Sequence, residues 1–129
     1  MNNQDSTRDN SPDPGEPVMH YSAAVSRLGG DADLFRDLVQ FFLEDSPDLL
    51  RTMRAAITDQ DAPELERAAH SMKGLAANFD GLPAVKASLV VERMGHAGDL
   101  SGAAAGVDAV EREVARLSAA LRPYLKSTP

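Results

Sequence analysis

The chain has no cysteine and no tryptophan, and only 5% of its 129 residues are aromatic. Without cysteine there are no disulfides, thiolate metal sites or cysteine nucleophiles. So few aromatic rings make a poor platform for stacking on bases or sugars. No apolar run approaches the roughly 18–20 residues of a membrane span, and no signal-peptide pattern opens the chain. Positive charge is also short: 13 Lys and Arg stand against 20 Asp and Glu, a formal net charge of −7. Phosphates repel such a surface, which argues against binding a nucleic-acid backbone. The expectation is one soluble, cytoplasmic domain without nucleic-acid or membrane partners. With 43% hydrophobic residues the chain has the material for a core.

Residues 1–17 differ from the rest. They hold Pro12, Pro14 and Pro17 among Asn, Gln and Ser, with no large apolar residue besides Met1. Such a segment buries too little to offset its ordering entropy, so a disordered tail or linker is expected. The folded domain then covers residues 18–126, and the last residues should fray.

From Val18 onward the pattern is helical. Alanine and leucine recur at spacings of three and four, and no sustained alternation points to strands. Five helical segments follow. The first covers residues 19–28 and ends at Gly29-Gly30, a good C-cap. The second runs over 31–59 behind Asp31, with the stripe Leu34, Leu38, Phe41 or Phe42, Leu49, Met53 and Ile57. Pro47 inside it is expected to kink or interrupt it. The third covers 61–79, where Asp61 and Glu64 have capping-box spacing and Pro63 suits the first turn. The fourth begins around Pro83 and closes between Gly95 and Gly98. The fifth begins behind Asp99, with the stripe Ala103, Val107, Val110, Val114, Leu117, Leu121 and Tyr124. Short connections between long amphipathic helices predict an all-α fold: an antiparallel up-and-down four-helix bundle with a short extra N-terminal helix. One bundle can bury its own stripes, so a monomer is expected.

The third segment carries the functional signal. At about 100° per residue, Leu65, Ala68, Ala69, Met72, Leu75, Ala76 and Phe79 gather on one side as a core stripe. Opposite lie His70, Lys73, Gly74 and Ala77. A glycine inside a helix costs about 1 kcal/mol relative to alanine. At Gly74, on an exposed face, the fold supplies no reason for it. Close approach by a partner's backbone or active site is one reason; a solvated histidine beside an incidental glycine is the other. Spacing alone leaves both open.

The stretch Ala69-His70-Ser71-Met72-Lys73-Gly74-Leu75-Ala76-Ala77-Asn78-Phe79 resembles the signature of the histidine phosphotransfer (HPt) domains of bacterial phosphorelays, A-H-x-x-K-G-x-x-x-N. The likeness continues in Leu28-Gly29-Gly30-Asp31, in Phe42-Leu43-Glu44-Asp45-Ser46-Pro47 and in Gly98-Asp99-Leu100, and covers about residues 18–125. It implies the family's antiparallel helical bundle and makes His70 the phosphorylated residue. It maps the family's lysine to Lys73 and its glycine to Gly74. It places the family's imidazole-orienting Gln or Glu at Glu92. The sequence departs from the family at His20, where an Asp cap is frequent, and at Asp80-Gly81, where many members have Gly-Ala.

The chemistry suits the residue. Free imidazole has a pKa of about 6.5, so the neutral nucleophile is available near pH 7. A hydrogen bond from Nδ1–H to Glu92 would leave Nε2 free to attack and would stabilise the cation that forms. Lys73 offers charge to the phosphoryl oxygens. Gly74 and Ala77 leave room for a docking receiver domain, with Leu75 and Leu82 as further candidate contacts. Mg²⁺ is expected on the receiver, and this chain is expected to bind no cofactor. There is no P-loop and no G-x-G-x-x-G, so the expectation is a phosphocarrier rather than an enzyme, freestanding or within a hybrid histidine kinase. The alternative is a helical adaptor that binds a kinase or response regulator without carrying phosphate. A metal site is disfavoured, since His20, His70 and His96 fall on different segments. His20 reads as an ordinary N-terminal helix residue and His96 as a loop residue.

Overall fold

The helical periodicity resolves, in a computed structural model describing residues 16–126, into five α-helices. They are α1 (Tyr21–Arg27), α2 (Ala32–Thr58), α3 (Ala62–Ala77), α4 (Leu82–Ala97) and α5 (Ala103–Leu121), with a closing 3₁₀ segment, Arg122–Lys126. The described residues form no strand. Residues 1–15 of the expected tail and 127–129 of the expected frayed end lie outside the described residues. Glu16, within the segment read as tail, forms an ion pair with Lys86 at 3.0 Å.

Local chemistry fixes several helix ends. The Asp31 carboxylate accepts a hydrogen bond from the Leu34 N–H at 3.0 Å, and Asp61 accepts one from Glu64 N–H at 3.1 Å. Each satisfies an otherwise orphaned donor of the first turn. Glu64 does not return the capping-box bond; its carboxylate pairs with Arg67. Gly98, left-handed at φ 73°, closes α4. Four boundaries move from the sequence expectation. The first helix is shorter at both ends, and α3 stops at Ala77. The last helix does not start behind Asp99. That carboxylate accepts from the Ser101 N–H and hydroxyl at 3.1 and 2.8 Å, closing a local turn first. Helix α5 then starts after Gly102.

Helix α2 passes through Pro47 without interruption. Its stripe is rotated by one residue in its first half: Phe35, Val39 and Phe42 are buried, whereas Leu34 and Phe41 are 40% and 53% exposed. The two rows differ by one 100° step, and hydrophobicity alone ranks them equally. Aromatic geometry decides between them. Phe79 takes Phe35 edge-on at 5.5 Å and Phe42 at 5.7 Å, an arrangement favoured by the ring quadrupole.

Helix α2 packs on α3 and α5, α3 on α4, and α4 on α5. Their shared core includes Met53, Leu65, Met72, Val91, Val107, Val110, Leu117 and Leu121, all fully buried. Helix α1 covers one end. Tyr21 stacks on Tyr124 at 4.8 Å and meets Phe35 edge-on at 5.0 Å. Arg27 grips Asp80 at 2.7 and 2.8 Å and the Ala77 carbonyl at 3.2 Å. Asp80 itself is left-handed, at φ 50°. Thus the Asp80-Gly81 pair that departs from the family pattern forms the α3–α4 corner and the anchor for α1.

Candidate functional site

Opposite the buried row of α3, the His70 side chain is 68% exposed. Glu92 reaches it from α4, with Oε2 2.8 Å from His70 Nδ1. Oε1 of the same carboxylate lies 2.7 Å from Lys73 Nζ. That second contact is an ion pair. One carboxylate, only 17% exposed, therefore joins the imidazole and the ammonium. An ionised carboxylate can only accept, so Nδ1 carries the proton and Nε2 keeps its lone pair. Burial pushes the Glu92 pKa up, but Lys73 and His70 outweigh burial and hold it below the ordinary carboxylate value.

The pH dependence follows from the sign of that shift. A carboxylate with a lowered folded-state pKa adds stability above its unfolded value, here about pH 4.5, and loses it as pH falls through the folded value. Glu92→Gln should therefore lower the urea midpoint near neutrality. The gap between parent and variant should narrow as pH falls below about 4.5 and close once it is below the folded-state value. Equal gaps at pH 7 and pH 3 would contradict the assignment.

Gly74 is exposed, and a Cβ placed on it would meet nothing within 4 Å. Packing does not require glycine there. Gly74→Ala is expected to raise stability by about 1 kcal/mol through helix propensity, read as a higher urea midpoint at unchanged slope. The same open ground lets another protein's surface reach the imidazole.

Two shallow depressions flank the exposed face of α3. One, of about 380 Å³, is lined by Pro63, Glu66, Arg67, His70 and Glu92. The other, of about 470 Å³, lies between α2 and α3 and is lined by Asp45, Asp48, Leu49, Ser71, Gly74 and Leu75. The structure thus brings His70, Lys73 and Glu92 together, with Gly74 and Leu75 in the second depression and Ala77 exposed beyond them. Leu82, the first residue of α4, lines neither. His96 is not in a loop. It belongs to the last turn of α4, with Nδ1 3.1 Å from Glu66 Oε2. His20 precedes α1 and makes no side-chain cap bond. Among the described residues, no three His, Asp or Glu side chains are grouped to hold a metal ion.

Gly95 is the residue that sequence reasoning missed. The sequence pattern puts it at a helix end, but it is buried inside α4 against α3. A Cβ there would lie 2.6 Å from Glu66 N, 2.8 Å from Glu66 Cα and 2.9 Å from the Ala62 carbonyl oxygen. Its bare backbone sets the α3–α4 spacing one turn from Glu92. The only signal in the sequence was a glycine three residues after Glu92.

A helical bundle presenting an outward imidazole, held at Nδ1 by a carboxylate, is the form of a histidine phosphocarrier. The comparisons agree. The Hpt domain family model matches residues 37–120, and this chain belongs to that family. Among solved structures, histidine-containing phosphotransfer protein B (HptB) from Pseudomonas aeruginosa PAO1 is similar at a TM-score of 0.81 and 25% identity. The match covers 89% of this chain and all of that one. The HPT domain of a sensor hybrid histidine kinase from Shewanella shares the fold at a TM-score of 0.71 and 12% identity, over 86% of this chain and 96% of that one. No curated protein matches significantly. Family membership supports a phosphotransfer role in a phosphorelay.

Proposed function

We propose that this chain accepts a phosphoryl group on His70 Nε2 from the aspartyl-phosphate of a receiver domain and passes it to another receiver's aspartate. The observation that carries this reading is the Glu92 carboxylate, shared between His70 and Lys73 beneath an exposed imidazole. In the forward step the Nε2 lone pair attacks phosphorus. A P–N bond forms, the acyl P–O bond breaks, and the aspartate carboxylate leaves with that electron pair. The imidazole becomes a cation whose Nδ1–H stays on Glu92. Lys73, 28% exposed, swings from Glu92 to the phosphoryl oxygens. The return step reverses each move.

The rest of the reading concerns context. The domain spans residues 18–126 behind a polar tail. The four long helices run up and down in antiparallel order, with α1 as the extra helix, which the short connections favour. No described helix is long and apolar enough to cross a membrane; the proposed setting is a cytoplasmic monomer. Receivers dock over Gly74 and Ala77 with Leu75 at the margin, and Mg²⁺ belongs to the receiver. The chain acts as a carrier without ATP chemistry of its own.

The test is incubation with a panel of radiolabelled, aspartyl-phosphorylated receivers. Label should leave a receiver and appear on this chain in an acid-labile, alkali-stable linkage typical of a phosphoramidate bond. Receivers that bind yet never transfer label, while known HPt domains are labelled alongside, would leave the non-carrying adaptor as the better account.

A further inference from the structure

The α3–α4 seam contains a second imidazole–carboxylate pair with its partners exchanged. Glu66 lies one turn before His70 on α3, and His96 lies one turn after Glu92 on α4. The two pairs therefore sit side by side: His70 with Glu92 at 2.8 Å, and His96 with Glu66 at 3.1 Å. We propose that His96 is a second phosphoryl acceptor, held by Glu66 as His70 is held by Glu92.

The features that equip His70 recur around His96. Its Nδ1 faces a carboxylate that can only accept, so the proton resides there and Nε2 keeps its lone pair. Its side chain is 80% exposed, more than that of His70. A cation stands three residues away in both cases: Lys73 after His70, and Arg93 before His96. Arg93 is exposed and has no partner among the described residues, so its guanidinium is available to phosphoryl oxygens. Bare ground adjoins both: Gly98, like Gly74, has nothing within 4 Å of a would-be Cβ. Packing does not explain His96, because its ring projects into solvent and its one side-chain partner among the described residues is Glu66. Gly95 brings the α3 backbone within reach, which permits the 3.1 Å contact.

The inference extends the carrier reading of His70 and takes its chemistry from it. The donor for His96 is a small phosphoryl compound and not a receiver: a receiver docked over Gly74 and Ala77 lies C-terminal to His70 on α3, whereas His96 pairs with Glu66 on the N-terminal side. With phosphoramidate, whose nitrogen is fully protonated, His96 Nε2 attacks phosphorus. A new P–N bond forms, the donor's P–N bond breaks, and ammonia leaves with its electron pair. The imidazolium keeps Nδ1–H on Glu66.

The experiment removes the third, exposed histidine with His20→Gln and treats that full chain and its His70→Gln, His96→Gln and doubly substituted variants with phosphoramidate, with circular dichroism as the folding control. Phosphate is counted by mass spectrometry at neutral pH and located by ³¹P NMR. His70→Gln should still take up one phosphoryl group, and the double variant none. Adding Glu66→Gln to His70→Gln should slow labelling about tenfold, the effect of losing one charge-assisted hydrogen bond. An unlabelled His70→Gln beside a labelled His96→Gln overturns the inference and leaves the His70 reading standing. The reverse pattern overturns the His70 reading alone. Label on the folded double variant overturns the assignment to His96.

Discussion

Gly95→Ala is expected to destabilise the fold by about 1–2 kcal/mol, although alanine is the better helix former. Propensity favours the substitution by about 1 kcal/mol. Packing opposes it more strongly. The new Cβ would sit 2.6 Å from Glu66 N, whereas ordinary contact begins at 3.4 Å. All three nearest atoms are backbone, so no flexible side chain can turn aside, and α4 must back away from α3. Overpacking of this kind costs about 1–3 kcal/mol and at times more. Urea unfolding followed by circular dichroism measures the loss. The displacement also reaches the site, because Glu92 is three residues away on the same helix. The His70 Nδ1–Glu92 bond should lengthen, and the imidazole NMR signals should shift even in the folded fraction. Gly74→Ala, with the same change in chemistry, should move stability the other way. An unchanged or raised midpoint for Gly95→Ala would mean that α4 relaxes at no cost and that Gly95 does not set the spacing.

That contrast shows what the sequence carries and what it withholds. Periodicity places α3 and α5 well, because a stripe such as Val107, Val110, Val114, Leu117 and Leu121 is a local property, and every member is buried. The face bearing His70, Lys73 and Gly74 is legible for the same reason: three positions on one helix share a side by arithmetic. Contacts between helices are not local. The choice of Phe35 and Phe42 over Leu34 and Phe41 depends on Phe79, more than thirty residues away. Gly74 and Gly95 are both interior helix glycines in the fold; one faces open space and the other a neighbouring backbone, a difference no local pattern carries. Glu92 could be nominated only through family resemblance, since residues 22 apart have no periodic relation. The Glu66–His96 pair lacked even that cue, and a glycine on either side of the His96-Ala97 pair made a loop the natural reading. The turn at Asp99 is a smaller case. A good N-cap residue was present, but a nearby serine captured its carboxylate first.

His70→Gln should abolish phosphoryl transfer from receivers while leaving the fold within about 0.5 kcal/mol of the parent. The functional half follows from the atoms. Glutamine offers an amide, whose nitrogen lone pair is delocalised into the carbonyl and does not attack phosphorus. The loss should therefore be complete rather than a slower rate, with no acid-labile label above background from any receiver. The structural half follows from exposure and from what Glu92 retains. The His70 side chain is mostly in solvent, so little packing is lost. Glu92 Oε1 still faces the Lys73 ammonium at 2.7 Å, so the half-buried carboxylate is not left without a counter-charge. The glutamine amide can donate to Oε2 in place of Nδ1–H. Lys73→Ala makes the informative comparison. It removes that counter-charge and a phosphoryl partner together but keeps Nε2, so transfer should slow roughly 10- to 100-fold, the worth of one charge-assisted bond of about 1.5–3 kcal/mol, without vanishing. Paired transfer assays and urea titrations on both variants separate the roles. Residual receiver-dependent label on His70→Gln would place the acceptor elsewhere. A large fall in its stability would make His70 part of the scaffold rather than the carrier.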